Sequence, residues 1–147
     1  ILTRKDTFLE WISGEIMARV SVRYFSKLGN TGRIAQAIAK GAGVEAVSIT
    51  DEAEAGDYVD ILFLGGAPYA NIMAPELRAY AEGLVPEKVA RVVLFTTSNW
   101  SRRTVRALRK ILTRKGIPVD REYFYAHMTR IKARTDAACE FAKRIVR

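Results

Sequence analysis

At 147 residues, 49% hydrophobic and 27% charged, the chain has the size and balance of a single globular domain, which excludes a largely disordered segment. One cysteine, Cys139, and one histidine, His127, exclude an internal disulfide and leave little for a cysteine or histidine metal cluster or a Ser-His-Asp triad. A net charge of +8 turns the surface towards anionic partners, and no apolar run approaches the ~20 residues that span a bilayer.

Residues 1–16 read as an N-terminal extension, because Met17-Ala18-Arg19-Val20 looks like a start immediately before the first strand. The extension lacks the apolar core of a secretory signal, and Phe8, Leu9, Trp11 and Ile12 would share one face of an appended helix. A domain then occupies residues 17–147. Strand one is predicted at Val20–Phe25, where β-branched and aromatic residues alternate. A helix from about Gly32 to Lys40 follows, with Ile34, Ala35, Ile38 and then Ala42 on one face. Strand two, Ala46–Ile49, precedes an acidic stretch at Asp51–Asp57. Strand three, Val59–Leu64, is apolar nearly throughout, as in a parallel strand covered on both faces.

Pro75 opens the next helix, whose Leu77, Tyr80, Ala81 and Leu84 recur at spacings of three and four. Strand four, Arg91–Thr96, leads into a helix over Arg102–Lys115 that buries Val105, Leu108, Ile111 and Leu112 and stops at Gly116. Strand five covers Val119–Tyr125, and the last helix, Asp136–Ile145, turns Ala138, Phe141, Ala142 and Ile145 inward. Strands alternating with helices in this way indicate an α/β doubly wound sheet.

Three loops at the carboxyl ends of strands carry unusual chemistry. After strand one, Ser26, Lys27, Leu28, Gly29, Asn30 and Thr31 bring hydroxyls, an amide, a glycine and the N–H groups of an opening helix into one small volume. That volume suits a phosphate; the plainer alternative is a tight turn with Thr31 as helix cap. The Gly-Lys-Ser/Thr ending of a Walker loop is missing, which disfavours nucleoside triphosphate hydrolysis. After strand three, Gly65 and Gly66 allow close approach, and Ala67, Pro68, Tyr69, Ala70 and Asn71 offer a stiffened turn with one flat aromatic face. After strand four, the amides and hydroxyls of Thr97, Ser98 and Asn99 suit the polar edge of a heteroaromatic ring. Trp100 would stack on or shield that ring, or else pack against a neighbouring helix.

From Met17 to Val146 the chain resembles a short-chain flavodoxin-family protein. The likeness is carried by Tyr-Phe-Ser-Lys-Leu-Gly-Asn-Thr, Ile-Leu-Phe-Leu-Gly-Gly-Ala-Pro-Tyr-Ala, Val-Val-Leu-Phe-Thr-Thr-Ser, Lys-Gly-Ile-Pro-Val and the ending Ala-Ala-Cys-Glu-Phe-Ala-Lys-Arg-Ile. The resemblance implies a flavodoxin-like three-layer sandwich with a five-stranded parallel sheet in the order 2-1-3-4-5. It also implies non-covalent FMN and a cytoplasmic electron-transfer protein that passes electrons to or from a redox partner. By the same resemblance the loop Ser26–Thr31 holds the phosphate, Ala67–Asn71 with Tyr69 lines one side of the isoalloxazine, and Thr97–Trp100 lines its other side or edge.

The chain also departs from the family. Leu28 stands where Ser or Thr is usual, and Ala70 stands where many flavodoxins carry glycine. Losing one hydrogen bond to a charged group, ~1.5–3 kcal/mol, predicts FMN affinity lower by about one to two decades. Flavodoxins are typically acidic, whereas Arg102, Arg103, Arg106, Arg109, Lys110, Arg114 and Lys115 crowd one helix here. Arg102 and Arg103, next to the ring loop, are candidate docking residues for an acidic redox protein, a phosphorylated substrate or NAD(P)H; the distal cations read as a solvated face.

Nucleic-acid binding is disfavoured by the lack of an aromatic platform or helix-turn-helix pattern. A phosphoacceptor receiver domain fails because Ser26 and Gly65 stand where it needs acidic residues. With no proton-transfer pair around the loops, an electron carrier is preferred to a stand-alone FMN-dependent oxidoreductase. A small NAD(P)H or quinone reductase and a flavodoxin fold that has lost its flavin are the alternatives. Tyr125 and His127 read as packed or rim residues, and Cys139 as a helix residue without chemistry.

Overall fold

A computed structural model of the chain describes residues 18–52 and 56–147; the predicted N-terminal extension and part of the acidic stretch lie outside the described residues. Among the described residues seven strands and four α-helices follow in the order β1 (Val20–Phe25), α1 (Asn30–Ala42), β2 (Ala46–Ser48), β3 (Val59–Gly66), β4 (Pro68–Tyr69), β5 (Ile72–Met73), α2 (Pro75–Gly83), β6 (Val89–Ser98), α3 (Arg103–Arg114), β7 (Val119–His127) and α4 (Ile131–Val146). A short 3₁₀ turn, Pro86–Lys88, precedes β6. The five long strands form one parallel sheet in the order β2-β1-β3-β6-β7, which is the predicted 2-1-3-4-5 order once the small β4-β5 hairpin is set apart.

A parallel sheet needs helices on both faces, and the side chains of β3 alternate accordingly. Ile61 and Phe63 join Val22, Val93, Phe95 and Phe124 under α1 and α4. Leu62 and Leu64 join Val92 and Leu94 under α2 and α3. Lateral register keeps each layer level, with Phe63 beside Val22 and Val93, and Leu64 beside Leu94. Each fully buried aliphatic or aromatic side chain of these layers contributes about 1.5–3 kcal/mol relative to exposure. On the first layer α1 and α4 pass so closely that a Cβ on Gly41 would lie 2.1 Å from the carbonyl oxygen of Cys139.

Strand ends move by one or two residues from the reading of the sequence, and three differences are larger or bear on the loops. Helix α1 begins at Asn30 rather than Gly32, because Gly29 (φ 90) and not Thr31 is its cap. Helix α4 begins at Ile131 rather than Asp136, since burying Ile131 against the sheet holds another turn and more. Pro68 to Met73 is a β-hairpin rather than an irregular loop, its strands pairing Pro68 with Met73 and Tyr69 with Ile72.

Strand β7 is the outer edge of the sheet beyond β6. Part of its backbone is held by arginines. Arg109 donates to the carbonyls of Asp120 (2.8 Å) and Arg121 (3.4 Å), and Arg134 donates to that of Tyr125 (3.3 Å).

At the start of α3 the hydroxyl of Thr104 is buried with no hydrogen-bond partner among the described residues. An unsatisfied buried hydroxyl costs about 1–3 kcal/mol, whereas the methyl of valine fills the same space without that cost. Thr104→Val is therefore expected to leave stability unchanged or raise it by about 1 kcal/mol in urea unfolding.

Candidate cofactor site

The carboxyl ends of β1, β3 and β6 converge on one cavity of about 250 Å³. It is lined by Ser26, Leu28, Asn30, Thr31, Ala67, Pro68, Tyr69, Asn71, Thr97, Ser98, Asn99, Ser101 and Met128, none of them charged. All three loops singled out in the sequence thus meet here. Of the predicted site residues, Lys27, Gly29, Ala70 and Trp100 sit in the same loops but outside the lining.

The first loop is a cradle of donors. Gly29, at φ 90, adopts a left-handed conformation that side chains resist, and this turns the chain sharply into α1. Its N–H donates to the Ser26 hydroxyl oxygen (3.0 Å), leaving the Ser26 O–H free to donate elsewhere. The N–H of Lys27 is spent on the Tyr69 hydroxyl (2.7 Å), and the first intrahelical bond runs from Arg33 N–H to the Gly29 carbonyl (3.1 Å). The N–H groups of Leu28, Asn30 and Thr31 make no hydrogen bond to any described residue, so the helix dipole and three open donors act on the same volume. Thr31 itself is buried, its hydroxyl hydrogen-bonded to that of Thr97 (2.7 Å), which ties the first loop to the third.

Tyr69 forms the second wall. Its ring stands edge-on to Phe25 (6.2 Å between centroids, 90°), and the Lys27 ammonium lies 4.7 Å from its centroid. With its hydroxyl held by Lys27 N–H as well, the ring is fixed in place. Ala70 (φ 50) and Asn71 (φ 60) form the two-residue turn after it, both left-handed, as a tight hairpin of this twist demands. Alanine there stores about 1 kcal/mol of strain that glycine would not.

The third wall is clamped from β7. The Tyr125 hydroxyl accepts the Trp100 N–H (2.9 Å) and donates to the Ser98 carbonyl (3.0 Å). Arg102 stacks on the Tyr125 ring at 3.5 Å, and its guanidinium donates to the Tyr123 hydroxyl (2.9 Å) and the Trp100 carbonyl (3.2 Å). His127 Nδ1 accepts the Thr129 N–H (3.2 Å), so in the neutral ring Nε2 carries the proton and donates to Asn99 Oδ1 (2.7 Å). Trp100, at φ 73, turns its ring out of the cavity against His127 (4.7 Å between centroids) and stays 72% exposed.

Two lining residues escaped the sequence reading. Ser101 follows directly on Trp100, and its carbonyl accepts the Ser98 hydroxyl (2.6 Å). Met128 arrives because β7 runs on to His127, two residues beyond its predicted end. Residue type carried no signal for either.

The donor set fits a phosphate ester. No acidic residue lines the cavity, and three open N–H groups with the Ser26 hydroxyl match an anion with several acceptor oxygens. Tyr69 and the polar residues Thr97–Asn99 line the same cavity, an aromatic face and a set of hydrogen-bonding groups that suit a flat heteroaromatic ring. Pockets that enclose a ligand of this kind measure ~300–1,000 Å³, so an FMN-sized molecule would lie partly outside this cavity. Among the described residues no cluster of His, Cys, Asp or Glu could hold a metal ion, and no helix is long and apolar enough to cross a membrane.

No protein-family model and no curated protein sequence matches the chain. Solved structures do. A flavodoxin from the domain Archaea superposes with a TM-score of 0.61 at 17% identity, over 84% of this chain and 98% of that one. Oxidised flavodoxin 2 from Bacillus cereus gives 0.62 at 18% identity, over 85% and 95%. A Fusobacterium nucleatum flavodoxin bound to flavin mononucleotide gives 0.57 at 13%, over 88% and 99%. With sheet order, loop positions and these superpositions in agreement, the chain has the flavodoxin-like fold.

Proposed function

We propose that this chain binds FMN non-covalently and carries electrons to or from a redox partner. The observation that supports the reading is the set of open N–H donors at Leu28, Asn30 and Thr31, three residues lining a cavity that Tyr69 and Thr97–Asn99 also line. FMN, when bound, supplies the electron-accepting ring. The chain's part is to hold the phosphate at the mouth of α1 with neutral donors, fix Tyr69 through the Lys27 N–H, and keep the polar edge of the third loop in register through Tyr125 and His127. No acid–base pair lines the cavity, which favours a carrier over a reductase. A cytoplasmic setting accompanies this reading, the single cysteine being a free, half-buried thiol on α4.

Titration of the purified chain with FMN and with riboflavin tests the proposal. Saturable quenching of flavin fluorescence by one equivalent of FMN, about tenfold tighter than riboflavin or better, is the expected result. Failure of both flavins to bind would leave a flavodoxin fold without its cofactor. Oxidation of NAD(P)H by the FMN-loaded chain alone would favour the reductase.

Leu28 lines the cavity while remaining 78% exposed. Leu28→Ser adds one hydroxyl donor at the rim, and FMN is expected to bind about tenfold more tightly, with riboflavin unchanged. Paired titrations of the two flavins against both proteins would read this directly.

A further inference from the structure

Helix α3 carries the row Arg103, Arg106, Lys110 and Arg114, all exposed. At 3.6 residues per turn these four fall within an arc of about 80° and extend for roughly 16 Å. None of them makes an ion pair with a described residue, and α3 itself contains no acidic residue. Elsewhere the chain neutralises such cations. Arg91 pairs with Asp120, and Arg144 donates to both carboxylate oxygens of Glu122, whose carboxyl is thereby held below its usual range. Arg102, a docking candidate in the sequence, is consumed by Tyr123, Tyr125 and Trp100; Arg103 is not. Like charges three and four residues apart disfavour a helix, so the row is a local cost that the fold does not compensate.

Its surroundings indicate what does. The row starts two residues after Ser101 of the cavity wall, and α3 packs against β5. Trp100, Leu28 and Met128 in the loops and Ile72 in β5, four of the largest exposed apolar side chains, stand in the segments that form that cavity. An apolar centre bordered by charge is the anatomy of a protein–protein interface. The exposed positions along α3 hold only Arg, Lys and Thr113, with no aromatic ring for a base and no apolar side chain for a lipid surface.

We propose that Arg103, Arg106, Lys110 and Arg114 form a docking ridge for a partner protein that presents a row of carboxylates, with the partner's surface coming to rest over Trp100 and the cavity mouth. What passes between the two proteins rests on the electron-carrier reading; where they dock does not.

The test uses the full chain, isotopically labelled for amide NMR, without added flavin. Polyglutamate of about 20 residues is titrated at ~0.05 M salt, where screening is modest. Shifts concentrated at 103–114 and in the Asn99–Arg102 loop are expected. Neutralising three of the four (Arg106→Gln, Lys110→Gln, Arg114→Gln) should weaken binding about tenfold. The same number of charges removed on the opposite face (Arg33→Gln, Lys40→Gln, Lys132→Gln) should change it less than about twofold. Equal effects of the two triple variants, or shifts centred on the α1–α4 face, would overturn the proposal. So would single-stranded DNA of about equal length, or vesicles rich in phosphatidylserine, binding the row about tenfold more tightly than polyglutamate. A chain that docks polyglutamate on the row yet takes up no FMN would refute the proposed function and leave the ridge standing.

Discussion

Ser26→Asp is expected to abolish FMN binding while riboflavin binding changes little. Aspartate can keep the local turn, because its carboxylate accepts the Gly29 N–H as the serine oxygen does now. The substitution therefore alters charge more than shape. A carboxylate about 4 Å from a single negative charge costs ~4 kcal/mol at an effective dielectric of 20, roughly a thousandfold in affinity, and a phosphate monoester carries more than one charge. Riboflavin lacks the phosphate and escapes this repulsion. Side-by-side fluorescence titrations decide the matter: equal loss for both flavins would mean the loop had collapsed, and undiminished FMN binding would mean the phosphate lies elsewhere.

A large loss of stability is expected from Gly41→Ala. On propensity alone alanine would favour α1 by about 1 kcal/mol. The close passage of α4 opposes this, since the new Cβ would meet the Cys139 carbonyl oxygen at 2.1 Å, and a backbone oxygen cannot rotate aside. Separating two packed helices costs about 3 kcal/mol, so packing wins and a net loss of roughly 2 kcal/mol remains. A fall in Tm of about 4–8 °C follows for a chain of this size. Gly83→Ala makes the control, for its Cβ would meet nothing within 4 Å. Raised stability there, beside lowered stability at Gly41, would separate helix propensity from the crossing of α1 and α4.

Much of this architecture was legible in the residues. The unbroken apolar run of β3 announced a sheet covered on both faces, and its Ile61/Phe63 and Leu62/Leu64 pairs do serve opposite layers. The three loops were legible because glycine, asparagine and hydroxyl residues cluster only where the chain leaves a strand. Tertiary bonds were not. Nothing local indicates that Tyr69 spends its hydroxyl on Lys27 across 42 positions, or that Tyr123, Tyr125 and His127, alternate residues of β7, clamp the Asn99–Arg102 loop. The hairpin around Ala70 and Asn71 was hidden for a related reason: alanine is a poor sign of a left-handed turn, and four paired residues are too few to show alternation. Helix α4 started early because Ile131 gains more from burial than Asp136 signals as a first-turn acid.

The arginines along β7 bear on how the molecule behaves in a crowd. A nine-residue strand open on one side is a template on which another chain can grow, and repetition of that step is how fibres begin. Here guanidinium groups from α3 and α4 already occupy the carbonyls of Asp120, Arg121 and Tyr125 on this edge strand. Each also brings a positive charge that repels an identical neighbour. The protein's own helices thereby cap part of the strand to which a further strand would attach.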